Sequence, residues 1–223
     1  MGRRIGGAGG GSDKGSNSTT VVVGTVAAMA IASAGAGGIG AGAAGSSASS
    51  TVAESVAGRN VVARKPNSKR AASRGNANEA YGRLGMRGVR RAVEKNLDCL
   101  VHSYGQVREF FLRTRCTSLD RVLFAMADEQ GNPIVVMVAW VGFRTRADAR
   151  RFKDLDDVDG TGNISPPGGA LLGVADVRFT GQHYHSRRVG AMTVIAEAEP
   201  LRGPVEDAVL DTIAEVAVLL PRP

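Results

Sequence analysis

Apolar residues in the segment 97–113 lie three or four positions apart, which predicts a helix with one apolar face. The residues on that face are Leu97, Leu100, Tyr104, Val107 and Phe111. The preceding segment 77–95 combines helix-forming residues with many arginines and predicts a second, basic helix. The first part of the folded region is therefore expected to be helical.

The next segments change to the pattern of strands. Residues 121–128 are mostly apolar, and the turn-forming sequence 129–132 connects them to a second apolar run at 133–143 as a hairpin. The second run has apolar residues at both parities, which is typical of a strand that is covered on both faces. Thr145 is a favoured N-cap residue, so a helix is expected over 146–155.

A second hairpin is predicted from residues 175–185 and 191–199, followed by a helix that starts after Pro204. The resulting order is one or two helices and then β-β-α-β-β-α. Two hairpins separated by a helix predict an α+β domain over residues 78–223, with a four-stranded, largely antiparallel sheet.

The N-terminal part of the chain has a different character. Residues 1–19 are rich in Gly and Ser, which predicts disorder, and residues 20–45 are apolar, uncharged and rich in Gly and Ala. The second segment is long enough to span a bilayer as a single helix, and we expect a transmembrane segment there. Two alternatives stay open: a cleaved signal peptide with its site at Ala32 and Ala34, or a flexible tether with no membrane role.

The net charge of +7 is unevenly distributed along the chain. Residues 51–95 hold eleven Lys and Arg against three acids, whereas residues 96–223 are slightly acidic. The net charge therefore gives no argument for nucleic-acid binding by the whole protein, and the segment 46–77 is interpreted as a basic, solvated linker. Its basic residues are Arg59, Arg64, Lys65, Lys69, Arg70 and Arg74. Beside a membrane span they would contact anionic lipid headgroups.

Two histidines and two glutamates form the candidate metal site. His183 and His185 share one face of a strand, and Glu197 and Glu199 share one face of the neighbouring strand. Together they could supply two nitrogen and two oxygen ligands to a zinc-like ion, although nothing in the sequence sets the register between the strands. A plain solvated face is the alternative.

An acidic loop suggests calcium at first sight but fails the EF-hand pattern. Asp154, Asp156, Asp157 and Asp159 precede a glycine, but the pattern requires an oxygen ligand at position 155 and a glutamate at position 166. Those positions hold Leu155 and Pro166. The sequence also contains no phosphate-binding loop, dinucleotide fingerprint or nucleophile motif, so we expect no cofactor and no catalytic set.

Cys99 and Cys116 are 17 residues apart. In an exported domain a disulfide between them would contribute about 3 kcal/mol by closing that loop. In a cytoplasmic domain they would be small buried thiols. The sequence leaves both states open, because it does not settle on which side of the membrane the domain lies.

Several local sequences resemble a family of uncharacterised actinobacterial proteins. They are Ser103 to Phe110, Cys116 to Arg121, Phe179 to Tyr184 and Ala214 to Pro221. The resemblance implies a Gly/Ala-rich apolar segment in front of an anchored domain of this size, and it carries no catalytic residue. Our leading hypothesis is a single-pass, membrane-tethered domain that binds or scaffolds a partner without catalysis. The alternatives are a soluble nucleic-acid-binding protein that uses residues 59–95 and a metal-dependent hydrolase built on His183 and His185.

Overall fold

Five antiparallel strands form one sheet in the computed structural model, which describes residues 46–174 and 177–223. The strands are β1 (Arg87–Asn96), β2 (Ser118–Ala127), β3 (Pro133–Gly142), β4 (Tyr184–Val189) and β5 (Met192–Pro200). Their order across the sheet is β1-β2-β3-β5-β4. The α+β class is confirmed. The predicted number of four strands is wrong.

Helices cover both faces of this sheet. The first face packs against α1 (Ser46–Ser73), α2 (Ala77–Arg83) and α5 (Asp207–Ala217). The second face packs against α3 (Gly105–Arg113), α4 (Arg146–Asp156) and a short 3₁₀ helix (Gly169–Leu172). We call these the α5 face and the α4 face.

The central strand β3 has apolar side chains on both faces of the sheet, and both faces must therefore be packed against helices. Val136, Val138 and Trp140 belong to the core on the α5 face, whereas Val135 and Met137 belong to the core on the α4 face. All of these side chains are buried, as expected from a strand that is apolar at both parities. Thr145 caps α4 by accepting a hydrogen bond from the Asp148 N–H, as the sequence also predicted.

The strand missed by sequence analysis is β1, which occupies part of the predicted basic helix. The segment 77–95 begins as α2 but leaves the helix at Gly85, where φ is +87°. Beyond it, Val93 contacts the core on the α5 face and Ala92 the core on the α4 face, which is the alternation of a strand. The arginines are tolerated because β1 is an edge strand.

The predicted helix over 97–113 is also shorter than expected. Only Gly105–Arg113 is helical. The Asp98 carboxylate instead accepts hydrogen bonds from the N–H groups of Leu100 and Val101, which holds the start of this segment in a turn.

The expected linker over 46–77 is a helix that belongs to the domain. Ala71 and Ala72 are completely buried, and the Ser68 hydroxyl donates a 2.6 Å hydrogen bond to the Ala80 carbonyl. Small side chains allow this close packing of α1 on α2, and Pro66 is accommodated within the helix. The domain therefore starts earlier than residue 78.

The second predicted hairpin is present with different bounds. The first strand, β4, begins at Tyr184 rather than at residue 175, and the chain reaches it through an irregular segment over 177–183. The last helix, α5, begins at Asp207, two residues later than the sequence indicated.

The predicted disordered segment 1–19 and the predicted membrane span 20–45 lie outside the described residues. Within residues 46–174 and 177–223, no helix has the length and apolar character needed to cross a bilayer.

Candidate functional site

The four candidate metal ligands lie on opposite faces of the sheet. His185 is directly opposite Ala196 in the β4–β5 ladder, and Ala196 belongs to the core on the α5 face. Glu197 is opposite Tyr184, one position along, and therefore points to the α4 face together with Glu199. The structure therefore does not bring the four candidate ligands together, because the register separates the histidines from the glutamates. No other group of three potential metal ligands occurs among the described residues.

His183 makes a local contact with α5 instead. Its ring Nδ1 lies 2.9 Å from Asp211 Oδ1, and its Nε2 lies 3.6 Å from Asp207 Oδ1. The imidazole is buried, whereas both aspartates are exposed. These contacts tie the residue before β4 to the first turns of α5.

On the other face, the glutamates of β5 hold the segment that leads into β4. Glu199 accepts a 2.8 Å hydrogen bond from the Thr180 N–H, and Glu197 accepts one from the Gly181 N–H. The second oxygen of Glu197 accepts a 3.2 Å bond from the Asn163 side-chain amide. Both glutamates are buried, so these bonds replace water that the carboxyls lose on folding.

Glu197 also lines a cavity of about 700 Å³ on the α4 face, which we call the Asp156 cavity. Its walls come from the end of α4, the loop over 157–164, the segment 177–181 and the strands β4 and β5. Polar and aromatic side chains dominate the lining, including Tyr104, Asp156, Asn163, Phe179, Tyr184 and Glu197. The volume is in the range of small-molecule sites.

Asp156 is the least satisfied group of this cavity. It is 6% exposed, and its Oδ2 accepts a 2.7 Å hydrogen bond from the Tyr184 hydroxyl. Its Oδ1 is buried without a hydrogen-bond partner. Burial raises the pKa of Asp156 to about 7, with a further contribution from neighbouring Asp157, while the bond from Tyr184 acts in the opposite direction.

Glu197 is perturbed in the same way. Burial raises its pKa to about 7, and the nearby carboxyls of Glu199 and Asp156 add to the effect. The bond from the Gly181 N–H lowers it. Two carboxyls in one cavity are thus poised to change charge near neutral pH.

A close backbone approach shapes the rim of the cavity. A Cβ atom on Gly162 would lie 2.2 Å from the Tyr104 carbonyl oxygen, and one on Gly105 would lie 2.6 Å from the Thr161 carbonyl oxygen. Both glycines also have positive φ, at +97° and +62°. Glycine at both positions allows the 157–164 loop to lie against the start of α3.

Arg121 fixes the next part of the same loop. Its buried guanidinium donates a 2.7 Å hydrogen bond to the Ser165 carbonyl and a 3.1 Å bond to the Pro166 carbonyl. It also forms a 2.5 Å ion pair with Glu94 on β1. An arginine on β2 therefore positions the wall that Pro166 contributes to the cavity.

The structure joins Cys99 and Cys116 by a disulfide, with the Cα atoms 6.3 Å apart. Exposed apolar side chains surround it: Leu97 is 81% exposed and Leu112 is 67% exposed. These two residues, Arg115 and both cysteines line a second cavity of about 620 Å³. We call this surface the disulfide patch.

Basic residues of α1, and Arg74 directly after it, are largely paired with acids of the domain. Lys65 and Lys69 both contact Glu215 on α5, Arg64 contacts Glu129, and Arg74 contacts Glu79. Contact of these residues with lipid headgroups stays a prediction, as does the membrane anchor itself.

Sequence analysis noticed Asp156 only as part of a failed calcium loop, and it missed Asn163, Tyr184 and Arg121 as parts of one site. The available signal was the pair of acids at the end of a helix with an apolar stripe, followed by a hairpin that carries Tyr184 on one strand and Glu197 on the other. The register between β4 and β5 decides which acids meet, and the sequence does not show it.

Comparison with protein-family models, curated proteins and solved structures finds no significant match, so the resemblance to the actinobacterial family stays a prediction.

Proposed function

We propose that this domain is a non-catalytic binding domain that takes a small polar molecule into the Asp156 cavity. The carrying observation is Asp156, a carboxyl that is 6% exposed and receives one hydrogen bond, in the wall of a cavity of about 700 Å³. A carboxylate can accept about four hydrogen bonds, so a carboxyl with one bond beside a cavity of this size is a natural contact for a polar ligand.

The lining supports binding more than catalysis. The described lining residues include no Ser, Cys, His or Lys that could act as a nucleophile or as an imidazole base. Its two buried carboxyls are held by structural bonds, Asp156 from Tyr184 and Glu197 from Gly181 and Asn163. Acceptors that are held in place in this way are suited to bind a molecule in one position.

The test is an NMR screen of the full chain against small amines, carboxylic acids, alcohols and sugars. Binding in the cavity shifts the amide signals of Gly160, Gly162 and Gly181, which line it. The variant Asp156→Asn should reduce these shifts, whereas Asp154→Asn removes an exposed acid of the same helix outside the cavity and should not. A screen in which no compound shifts the three glycines would contradict the proposal.

We also propose that the chain is tethered to a membrane through residues 20–45. The support is the length and uncharged composition of that segment. The test compares the carbonate-washed membrane fraction of cells that express the full chain or a chain without residues 20–45. We expect the full chain in the membrane fraction and the deleted chain outside it. A full chain that is washed off, or released after cleavage near Ala34, would contradict the anchor.

The disulfide patch favours a second contact with the membrane, in which the domain lies against an anionic lipid surface. Leu97 and Leu112 expose apolar side chains in the same lining as the exposed Arg115, and Val101 in the adjoining segment is also exposed. Apolar side chains beside arginines are complementary to the boundary between acyl chains and anionic headgroups. The one acid in this cavity lining, Asp98, accepts bonds from the backbone.

Co-sedimentation with vesicles tests this contact in the chain without residues 20–45. We expect binding to phosphatidylglycerol-containing vesicles, weaker binding to pure phosphatidylcholine, and loss of binding in the double variant Leu97→Gln, Leu112→Gln. The matched control is Val189→Gln, which changes an exposed apolar residue on β4. Equal binding by the double variant and the control would overturn the contact.

A further inference from the structure

We infer that the molecule bound in the Asp156 cavity is an organic cation, an amine or guanidinium compound with an apolar portion. This inference rests on the proposed function, because it names the ligand class of the same cavity. Its basis is the combination of a buried carboxyl that receives one hydrogen bond, an excess of acids, and aromatic rings in one lining.

The charges of the lining favour a cation. Its acids are Asp156, Asp157, Asp159 and Glu197, and its one cationic residue is Arg178, which is exposed. Lys153 pairs with Asp157 at the edge and is not part of the lining. Acids therefore outnumber cationic residues in the described lining, which favours a cationic ligand over an anionic one.

The remaining surface favours an organic cation. Tyr104, Phe179 and Tyr184 supply aromatic rings, and Ile164 and Val177 supply aliphatic surface. An ammonium or guanidinium group is attracted to aromatic faces, and its carbon chain gains from contact with apolar side chains. The Asn163 amide adds a polar contact of fixed position through its bond to Glu197.

A bare metal ion fits less well. Among the described residues no three acids, histidines or cysteines are close enough to share an ion. Calcium takes six to eight oxygen ligands, whereas Asp156 Oδ2 and both oxygens of Glu197 are already bonded to Tyr184, Gly181 and Asn163.

Binding of a cation at this place should be coupled to proton release. Asp156 faces Tyr184 from β4 and Asp157 and Lys153 from its own end of α4. Glu197 faces Glu199, Asp156 and the Gly181 N–H, while His183 acts on it from the other face of the sheet. Both carboxyls have raised pKa values near 7 in the free protein, and a cation beside them favours the ionised form. Affinity for an amine should therefore increase as pH rises from 6 to 8.

The experiment compares 2-phenylethylamine and tyramine with analogues that lack the cation, which are 2-phenylethanol, phenylacetate and 4-hydroxyphenylacetate. Agmatine is included as a guanidinium compound without an aromatic ring. NMR titration of the full chain follows the amides of Gly160, Gly162 and Gly181. We expect at least one amine to shift them in a saturable way, with affinity at least threefold higher at pH 8 than at pH 6. The neutral and acidic analogues should bind about tenfold more weakly or not at all.

Variants distinguish amine binding in the cavity from a general attraction of amines to acidic residues. Asp156→Asn and Glu197→Gln should each weaken amine binding by about tenfold, whereas Asp154→Asn should leave it unchanged. Thermal unfolding of each variant checks that it is folded, and the pH dependence of the unmodified chain gives a readout that needs no variant. Calorimetry in two buffers of different ionisation enthalpy measures the protons released.

The outcomes distinguish the two proposals. If phenylacetate or 2-phenylethanol shifts the three glycines as strongly as the amines, the ligand class is wrong while the binding cavity stands. The same holds if the general screen finds only acids or sugars. If neither the amines nor any compound of that screen shifts these glycines, both proposals are overturned.

Discussion

The Tyr184 hydroxyl donates a 2.7 Å hydrogen bond to Asp156 Oδ2, which joins the first residue of β4 to the last residue of α4. It is the one hydrogen bond within the described residues that the Asp156 carboxyl receives, since Oδ1 has none. Two elements separated by an irregular loop are thus held together at the wall of the cavity.

The variant Tyr184→Phe should lower the free energy of unfolding by about 1–3 kcal/mol, because both Asp156 oxygens would then be buried without a partner. The pKa of Asp156 should rise further, since the bond from Tyr184 favours its ionised form. Urea unfolding at pH 7 measures the stability. Tyr104→Phe is the control, because Tyr104 lies in the same cavity but is exposed, and its effect should stay below 0.5 kcal/mol. Equal effects of the two variants would contradict the assigned role of the bond.

The raised pKa values of Asp156 and Glu197 predict the direction of the pH dependence of stability. A carboxyl with a pKa near 7 in the folded state and near 4 when unfolded binds more protons in the folded state between these values. Stability is therefore greatest at low pH within this window, falls as pH rises from about 4 to about 7, and becomes constant above it. Carboxyls with lowered pKa values, such as Asp148 bonded to Thr145 and Arg151, act in the opposite direction only below about pH 4.5.

Denaturant unfolding of the unmodified chain and of Asp156→Asn across pH 4.5–8 measures this slope. The variant should show a shallower decline, by a total of about 3 kcal/mol at most, since each pH unit between the two pKa values contributes about 1.4 kcal/mol. A stability that increases between pH 5 and pH 7 would show that these carboxyls are not buried as the structure places them.

The approach of Gly162 to the Tyr104 carbonyl gives a matched pair of variants. Gly162→Ala combines a positive φ with a Cβ atom 2.2 Å from a backbone oxygen, whereas Gly160→Ala has a positive φ and open space. The second variant should cost about 1–2 kcal/mol from backbone strain alone. The first should cost at least about 1 kcal/mol more, because backbone atoms must move apart. Thermal unfolding of the two variants compares their stabilities directly. Equal losses of stability would mean that the loop moves away from the Tyr104 carbonyl at no free-energy cost.

Much of the fold can be predicted from the sequence, and particular residues show where prediction ends. The uninterrupted apolar run 133–143 indicates a strand buried on both faces, and Thr145 indicates the start of α4. In contrast, β1 carries four arginine or lysine residues and one alternating pair, Ala92 and Val93. Its local pattern is therefore as consistent with a basic helix as with a strand. Pairing with β2 decides its structure, and pairing is a tertiary interaction.

The candidate site depends even more on tertiary structure. The pairs His183–His185 and Glu197–Glu199 are correctly placed on one face each by strand alternation, but a shift of one residue in register exchanges the faces. Here the register puts Tyr184, rather than a histidine, opposite Glu197. Asp156 becomes a buried acid only because β4 and the 157–164 loop close over the end of α4, and no local pattern contains that information.

Arg121 should be the most important single side chain for the loop that forms the cavity wall. The variant Arg121→Met keeps the length and apolar part of the side chain but removes the bonds to the Ser165 and Pro166 carbonyls and the ion pair with Glu94. We expect a loss of about 3–5 kcal/mol, the range for removing one partner of a buried ion pair. Hydrogen exchange should show faster opening at residues 163–168. Arg91→Met on the exposed side of β1 is the control, with an effect within about 0.5 kcal/mol.

Reduction of the Cys99–Cys116 disulfide should destabilise the domain by about 3 kcal/mol, because the bond closes a loop of 17 residues in the unfolded chain. Thermal unfolding with and without dithiothreitol measures this loss, and the variant Cys99→Ser, Cys116→Ser should reproduce it and be insensitive to the reductant. The Asp156 cavity lies in a different part of the α4 face, so amine binding by the folded, reduced protein should be unchanged. Loss of binding upon reduction at a temperature where the domain stays folded would show that the disulfide also holds the cavity wall through Tyr104 and α3.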